Sequence, residues 1–174
     1  SLTGINVVEG NTVYHSEGNC LIETTTKTLI LGCQNSVIPT DGSVTSIGSD
    51  AFRLCSDLME IVIPVCVTSI GSSAFHGCYN LKEIKIPEGV TSINSGVFSY
   101  CTRLTKINIP AGVTSIGSYA FRGCSGLTEV TIGEGVTSID SSAFEGCTYL
   151  TSVTFENKEG WWLLTSSTAT SGTE

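Results

Sequence analysis

Cysteine is the residue with the most chemical potential in this 174-residue chain, which holds eight of them. Thiolates bind soft metals, act as nucleophiles and join in disulfides. Five of the cysteines recur at one constant interval, at Cys55, Cys78, Cys101, Cys124 and Cys147. Zinc sites use close pairs such as C-x2-C, and the chain has none. Because apolar residues precede each of these five, we interpret them as a buried ladder of small hydrophobic side chains, with disulfides or a metal site as the alternative.

The other three cysteines fall outside this ladder. Cys66 stands at a turn position that is otherwise glycine, so we expect it to lie near solvent. Cys20 and Cys33 belong to a predicted β-hairpin, in which Cys20 would face Leu31 and Cys33 would lie on a diagonal. Diagonal neighbours are about 7–8 Å apart, so we expect both thiols to be unpaired.

No combination of residue types predicts catalysis. The two histidines, His15 and His76, are expected on the surface and far apart. The glutamates at 60, 83 and 129 share one repeat position, but Lys106 interrupts their series. The serines lack a base at a matching spacing, and no phosphate loop, EF-hand or zincin motif occurs. The sequence therefore predicts a protein that is not an enzyme and needs no metal or cofactor.

Composition excludes further classes of function. With 40% apolar and 14% charged residues the chain is expected to be ordered. Its net charge of −8 argues against nucleic acid and anionic membranes as partners. No apolar run approaches the ~20 residues of a membrane-spanning helix, so no membrane insertion is expected. The chain begins at Ser1 without the features of a signal peptide, and we expect any secretion signal to have been removed.

The elements that position these residues follow from an internal repeat. The segment Leu81–Cys101 matches other segments of the chain when the sequence is shifted by 23 positions or a multiple of that shift. We call the residues at one position of successive repeats a column. The phenylalanine column is Phe52, Phe75, Phe98, Phe121 and Phe144, and a Val-Thr-Ser-Ile segment begins at Val44, Val67, Val90, Val113 and Val136. A fixed period of this length is the signature of a solenoid.

Each position of the repeat has a predicted role. Alternation places Ile84 and Ile86 inside and Glu83 and Lys85 outside, on strands that stack in parallel. The recurring phenylalanines are expected to form one continuous internal stack. The short Ser/Gly-rich segment around each phenylalanine leaves room for one helical or 3-10 turn. Two columns are predicted to hold φ > 0 because of their residue types: Gly89, Gly112 and Gly135 in a type II turn, and Gly48, Gly71, Asn94, Gly117 and Asp140 at a corner.

The predicted fold is an α/β solenoid of 23-residue coils, with a parallel β-sheet on one face and short helical or 3-10 turns on the other. Residues 1–43 would form an N-terminal strand at 1–7 and an inserted hairpin of Cys20–Glu23 and Thr28–Leu31. Residues 44–155 would form the regular array. Residues 156–174 would form a cap and tail within the same structural domain, with Trp161-Trp162-Leu163-Leu164 covering the last coil. The alternative for the tryptophans is a binding patch, including a platform for carbohydrate.

The pattern Leu-x-x-Ile-x-Ile-Pro-x-x-Val-Thr-Ser-Ile-Gly-x-x-Ala-Phe-x-x-Cys resembles the BspA-like class of leucine-rich repeats. The segments 76–94 and 122–140 show it well, and the match covers about two-thirds of the chain, residues 37–155. The departures at Cys66, Asn94, Val97 and Gly133 are interpreted as structural. The resemblance implies a right-handed leucine-rich-repeat superhelix on secreted or surface-anchored proteins of bacteria and some parasitic protists. It also implies adhesion to host proteins or to other cells.

Two functional hypotheses remain, and both place the protein outside the cell or on its surface. The first is a monomeric module that binds a host extracellular or cell-surface protein. The second is a structural spacer that presents another domain of a longer surface protein. The resemblance implies binding through the strand face, at Glu60, Glu83, Lys85, Lys106, Asn108 and Glu129. The rival surface is suggested by the residue type that dominates interfaces: Tyr79, Tyr100, Tyr119 and Tyr149.

Overall fold

A computed structural model of the chain describes residues 2–157. Within that range the chain forms eleven short strands and no helix. The strands are β1 Tyr14–Glu17, β2 Cys20–Glu23, β3 Thr28–Leu31, β4 Ser46–Ile47, β5 Ser69–Ile70, β6 Ser92–Ile93, β7 Lys106–Ile109, β8 Ser115–Ile116, β9 Glu129–Ile132, β10 Ser138–Ile139 and β11 Ser152–Phe155. We number the coils 1 to 5 from their first residues, Val44, Val67, Val90, Val113 and Val136.

Parallel pairing between equivalent positions builds the solenoid. β6, β8 and β10 form one three-stranded sheet, and β7, β9 and β11 form another. In both sheets a residue pairs with the residue 23 positions later, as Ser115 does with Ser138 and Val130 with Val153. The 23-residue β-solenoid is therefore confirmed. Coils 3 to 5 each contribute a strand to two stacks, one stack more than predicted, whereas coils 1 and 2 are joined in the second stack only by the bridge between Glu60 and Glu83.

The inserted hairpin has the predicted strands and extends into the array. β2 and β3 pair antiparallel with Glu23 opposite Thr28, and β1 adds a strand that the sequence did not reveal. β3 then pairs in parallel with β4, which makes the hairpin the first layer of the stack. A bulge after Leu21 sets that residue opposite Leu31, so Cys20 does not face Leu31 as expected. Residues 2–8 form no strand, contrary to the prediction for the N-terminus.

The predicted helical or 3-10 face is wrong for the part of the chain that the structure describes. The backbone N–H of Phe52 donates to the carbonyl of Ala74 in the next coil at 2.7 Å, and that of Phe98 donates to Ala120 at 2.8 Å. A helix needs these N–H groups for bonds within its own segment. Because they are used between coils, the segment stays a series of turns. The α/β class is therefore corrected to a β-solenoid.

Both predicted φ > 0 columns are also wrong. Left-handed residues instead occupy two other columns of the turn: Asp50, Ser73, Gly96, Tyr119 and Ser142, and Leu54, Gly77, Tyr100, Gly123 and Gly146. Glycine occurs in the predicted columns for a different reason. A Cβ at Gly71 would overlap the backbone of Ser49, and one at Gly135 would overlap that of Ala111. Glycine is needed there because the preceding coil lies too close for a side chain.

The core consists of stacked columns of one residue type. Ile84, Ile86, Val90 and Ile93 are buried as predicted. The five phenylalanine rings form the expected continuous stack, with centroid distances of 5.1, 5.7, 5.5 and 5.1 Å along the chain. Gly32 ends the stack at the hairpin, because a side chain there would overlap the ring of Phe52. The array thus has one aromatic spine through all five coils.

The cysteine ladder packs beside this spine. From Cys78 onward each thiol of the ladder donates to the carbonyl of a phenylalanine in the preceding coil. The Sγ–O distance is 3.3 Å from Cys101 to Phe75 and 3.0 Å from Cys124 to Phe98. The three inner members, Cys78, Cys101 and Cys124, are buried, as the ladder interpretation requires.

The cysteines outside the centre of the ladder differ in burial. The outer members of the ladder, Cys55 and Cys147, are only half-buried, because they lie at its two ends. Cys20 and Cys33 in the hairpin are buried. All eight cysteines are free thiols.

The predicted C-terminal cap around Trp161 and Trp162 lies outside the described residues and stays a prediction. None of the described residues belongs to a helix long and apolar enough to span a bilayer.

The stack predicts that stability depends on position along the array. We expect Phe98→Ala to lower the free energy of unfolding by about 3–5 kcal/mol, because the fully buried ring packs on a neighbour at each side. Phe144→Ala is the matched control, since that ring is half-buried and has one stacked neighbour at 5.1 Å. Urea denaturation of both variants would measure the difference. Equal losses, or a larger loss at residue 144, would contradict the stack as the source of stability.

Burial also predicts an order of thiol labelling in the native protein. Cys66 is half-buried and bonds the carbonyl of Val44 at 3.4 Å, and we expect it to react with iodoacetamide first. Cys55 and Cys147 should follow, because each lies at an end of the ladder. Cys101 should react only on unfolding, since it is fully buried. Peptide mass spectrometry against time would give the order, and early labelling of Cys101 would refute the buried ladder.

The same thiols predict a loss of stability in mild alkali. Burial raises the pKa of Cys78, Cys101 and Cys124 well above the ordinary 9.0, so the fold keeps these protons while the unfolded chain loses them. Stability is therefore complete below about pH 9 and falls as the pH rises, by about 1.4 kcal/mol per pH unit for each thiol. Melting temperatures between about pH 8 and 11 should fall less steeply for Cys124→Ala. Parallel curves for the two proteins would contradict this account.

Candidate functional site

Neither histidine is placed in a catalytic arrangement. His15 Nδ1 lies 2.9 Å from Thr24 Oγ1, within the hairpin. His76 contacts the ring of Tyr100 edge-on at 5.6 Å between centroids, and partial burial, then the charge of Arg53, lowers its pKa. In residues 2–157 no group of three His, Cys, Asp or Glu side chains could hold a metal ion. What the surface offers is a set of side chains that project from backbone hydrogen-bonded between coils.

The strand face is the first candidate surface, and β7, β9 and the equivalent segment of coil 2 build it. Alternation turns every second side chain outward, and parallel pairing aligns these side chains between coils. Five of the six predicted residues line one open groove of about 780 Å³: Glu83, Lys85, Lys106, Asn108 and Glu129. The sixth, Glu60, pairs with Glu83 through a parallel bridge but lies outside the groove lining.

Charge in the groove is mixed rather than of one sign. Lys106 Nζ lies 2.6 Å from a Glu129 carboxylate oxygen in an exposed ion pair, which contributes little to stability. Lys82 also lines the groove. Our sequence reasoning missed Lys82, although its position directly after the buried Leu81 could have indicated an outward side chain. Neither Lys82 nor Lys85 makes an ion pair within residues 2–157, so both cations are available to a partner.

The tyrosine surface lies on the turns, and part of it is structural. The predicted members Tyr79, Tyr100, Tyr119 and Tyr149 are all exposed. Tyr100 and Tyr119 have φ of 60° and 58°, a backbone conformation that is unfavourable for bulky side chains. The ring of Tyr100 occupies the space over Gly123 in the next coil, where a Cβ would lie 2.6 Å from Tyr100 Cδ1. This tyrosine therefore covers a neighbouring turn in addition to being exposed.

Polar contacts connect the rest of the turn surface. The guanidinium of Arg122 lies 5.0 Å from the centroid of the Tyr119 ring and 3.2 Å from a carboxylate oxygen of Glu145. Arg103 donates to the side-chain oxygen of Asn80 at 3.3 Å. The arginines on this side are thus partnered within the fold. A partner that bound here would have to compete for them.

Comparisons with known proteins agree with this architecture. The model of the BspA type leucine rich repeat region matches residues 32–159 in six copies. A solved leucine rich cell surface protein from Faecalibacterium prausnitzii is 32% identical, with a TM-score of 0.79 over 84% of this chain. A leucine-rich repeat protein from Bacteroides ovatus is 33% identical, with a TM-score of 0.65 over 86% of this chain.

The pneumococcal vaccine antigen PcpA is 24% identical and has a TM-score of 0.81 over 91% of this chain, a likeness that shows the fold alone. This chain spans only 40% of the length of the F. prausnitzii and pneumococcal structures and 41% of the B. ovatus structure. The comparison with curated proteins found no match. Because the repeat model covers most of the sequence and equivalent positions of successive coils pair in register, this chain belongs to the BspA-type leucine-rich repeat family.

Proposed function

We propose that this chain is a non-enzymatic protein-interaction module of a secreted or cell-surface protein, and that it contributes to adhesion to a host or partner-cell protein through its strand face. The observation that carries the proposal is the groove, in which five of the predicted side chains, from three coils, project from backbone that pairs between coils. Such a surface is already ordered before a partner arrives. A partner therefore need not supply the free energy of ordering it.

The proposed location rests on a relative. The F. prausnitzii protein that is 32% identical is described as a leucine rich cell surface protein. The negative net charge of this chain, −8, also favours a protein partner over nucleic acid or an anionic membrane.

We propose further that each contact is weak and that adhesion depends on many copies at a surface. Binding energy in interfaces concentrates in Trp, Tyr and Arg, and the groove is lined by none of these. Exposed ion pairs such as the one between Lys106 and Glu129 contribute less than about 1 kcal/mol. Many simultaneous contacts raise the overall affinity by about 10²–10⁴.

The alternative function is a structural spacer, and one observation favours it. In coils 4 and 5 the strand face is mostly threonine, and two of these side chains bond the preceding coil. Thr128 Oγ1 donates to the carbonyl of Thr105 at 3.1 Å, and Thr151 Oγ1 donates to that of Thr128 at 3.3 Å. Uniform side chains with partners in the fold suit a rod that holds another domain at a distance.

Bead adhesion with matched variants would distinguish these functions. Beads coated with the chain would be applied to immobilised host extracellular proteins. The first variant, Glu83→Lys with Lys85→Glu and Lys106→Glu, exchanges strand-face charges, and we expect it to reduce adhesion by about tenfold or more because avidity multiplies each weak loss. The second variant, Tyr79→Ala with Tyr100→Gly and Tyr119→Gly, should keep adhesion. Glycine is used at 100 and 119 because their φ is positive.

Melting curves would first establish that both variants are folded. Loss of adhesion only in the tyrosine variant would move the site to the turns. Unchanged adhesion in both variants would refute both candidate surfaces and place the binding site elsewhere on the chain. A wild type that does not adhere would favour the spacer.

A further inference from the structure

The strand side carries a patch of exposed aliphatic side chains next to the groove. Val37, Met59, Val62 and Val65 are 71%, 55%, 78% and 90% exposed, and we call these four residues the aliphatic patch. One exposed aliphatic residue is ordinary, but several on one surface mark an interaction site. Sequence reasoning missed the patch because it searched this face for charged and aromatic residues.

The repeat pattern assigns the four residues to neighbouring outward positions on the strand side. Val37 precedes the buried Ile38 as Val62 precedes the buried Ile63, so both valines stand in one outward column. The hairpin layer is joined to coil 1 in the other stack of strands, where Thr28 pairs with Ser46. Stacked coils are about 4.8 Å apart, which places equivalent side chains side by side. Met59 and Val65 extend the patch along coil 1.

The next coil replaces Met59 and Val62 by lysines and Val65 by Glu88. Lys82 follows Met59 in its column, and the two coils are joined there by a bond from Lys82 N–H to the Met59 carbonyl at 3.1 Å. Lys85 follows Val62 in its column. Both lysines lack an ion pair in residues 2–157, whereas Arg53, Lys106 and Arg122 each have one. The surface thus changes over a single coil from aliphatic to charged, with two lysines, unpaired within residues 2–157, among glutamates.

The intervening glutamates decide which class of partner fits. Glu60, Glu83 and Glu88 are exposed among these lysines. They would repel a polyanion such as a sulfated glycan, whose charges could not avoid them. A protein segment places isolated carboxylates at chosen positions and supplies aliphatic side chains as well. The chemistry of this surface therefore favours a protein segment.

We propose that the aliphatic patch and the pair Lys82 and Lys85 bind a protein segment that carries apolar side chains followed by carboxylates. Burial of apolar surface on the patch supplies the affinity, and the lysines fix the direction in which the segment lies across the coils. This inference rests on the proposed function, because it names the partner chemistry of the strand side.

The repeat offers a variant that is expected to fold. Val62→Lys with Val65→Glu gives coil 1 the residues that coil 2 already carries in the same two columns, Lys85 and Glu88, and leaves the net charge unchanged. The matched control is Thr151→Glu with Thr154→Lys on coil 5, which is also charge-neutral and lies outside the patch. A third variant, Lys82→Glu with Lys85→Glu, tests the cations.

The probe is a fluorescein-labelled synthetic peptide with leucines followed by two glutamates, measured by anisotropy against the whole chain. We expect the patch variant to weaken binding by about tenfold and the coil 5 control to leave it unchanged. The lysine variant should also bind about tenfold more weakly, and should instead prefer a peptide whose glutamates are replaced by lysines. Light scattering would give the oligomeric state of each protein.

Three results would overturn the inference: no peptide binding by the wild type, equal loss in the patch variant and the control, or a wild-type dimer that the patch variant converts to monomer. The last would assign the patch to a second copy of the chain. The bead assay separates the two proposals. Adhesion that survives in the patch variant refutes this inference alone, and peptide binding without wild-type adhesion refutes the proposed function alone.

Discussion

Backbone hydrogen bonds between successive coils are the constraint on which this structure depends. Phe52, Phe75, Phe98 and Phe121 each donate their N–H to the coil that follows, and the strand segments pair in register at equivalent positions of neighbouring coils. Register of this kind forces side chains of one type into continuous columns. The phenylalanine spine and the thiol ladder follow from it, since each is one column of the stack. The same bonds exclude a helix in the turn, because a backbone N–H has only one proton to donate.

Features set by side-chain polarity could be predicted from the sequence. Period-two alternation identified Ile84 and Ile86 as buried, and the turn between two apolar strands located the hairpin. Features set by backbone contact between coils could not be predicted in this way. Gly71 is of the residue type that most easily adopts positive φ. Glycine is needed there for another reason, because a Cβ would overlap the backbone of Ser49 in the preceding coil. Leu54 and Tyr100 do adopt positive φ although nothing in their residue type indicates it. Long-range bonds override local preference in both cases.

The candidate site likewise has features that the sequence predicts and features that only the structure shows. The outward columns predicted that five side chains share one face, and the structure places them in one groove: Glu83, Lys85, Lys106, Asn108 and Glu129. Which of these charges are already paired depends on geometry, and only the structure shows that Lys106 is held by Glu129 while Lys85 is not. The aliphatic patch escaped notice for a related reason. The repeat already places Val62 in an outward column, but only the structure shows that Met59 and Val65 are exposed beside it in the same coil.

The contrast between core and surface bears on function. Stacking demands similar residues in the buried columns, so their repetition reflects packing. The outward columns are free of that demand, and there the chain changes from Val62 to Lys85, Asn108 and Thr131 over four coils. A spacer needs only solubility on such a surface, which threonine satisfies and exposed valine does not. Exposed aliphatic side chains favour association over solubility. The exposed valines of coil 1 and the lysines of coil 2, unpaired within the described residues, are therefore the features of the strand side that solubility alone does not require, and the proposed contact rests on them.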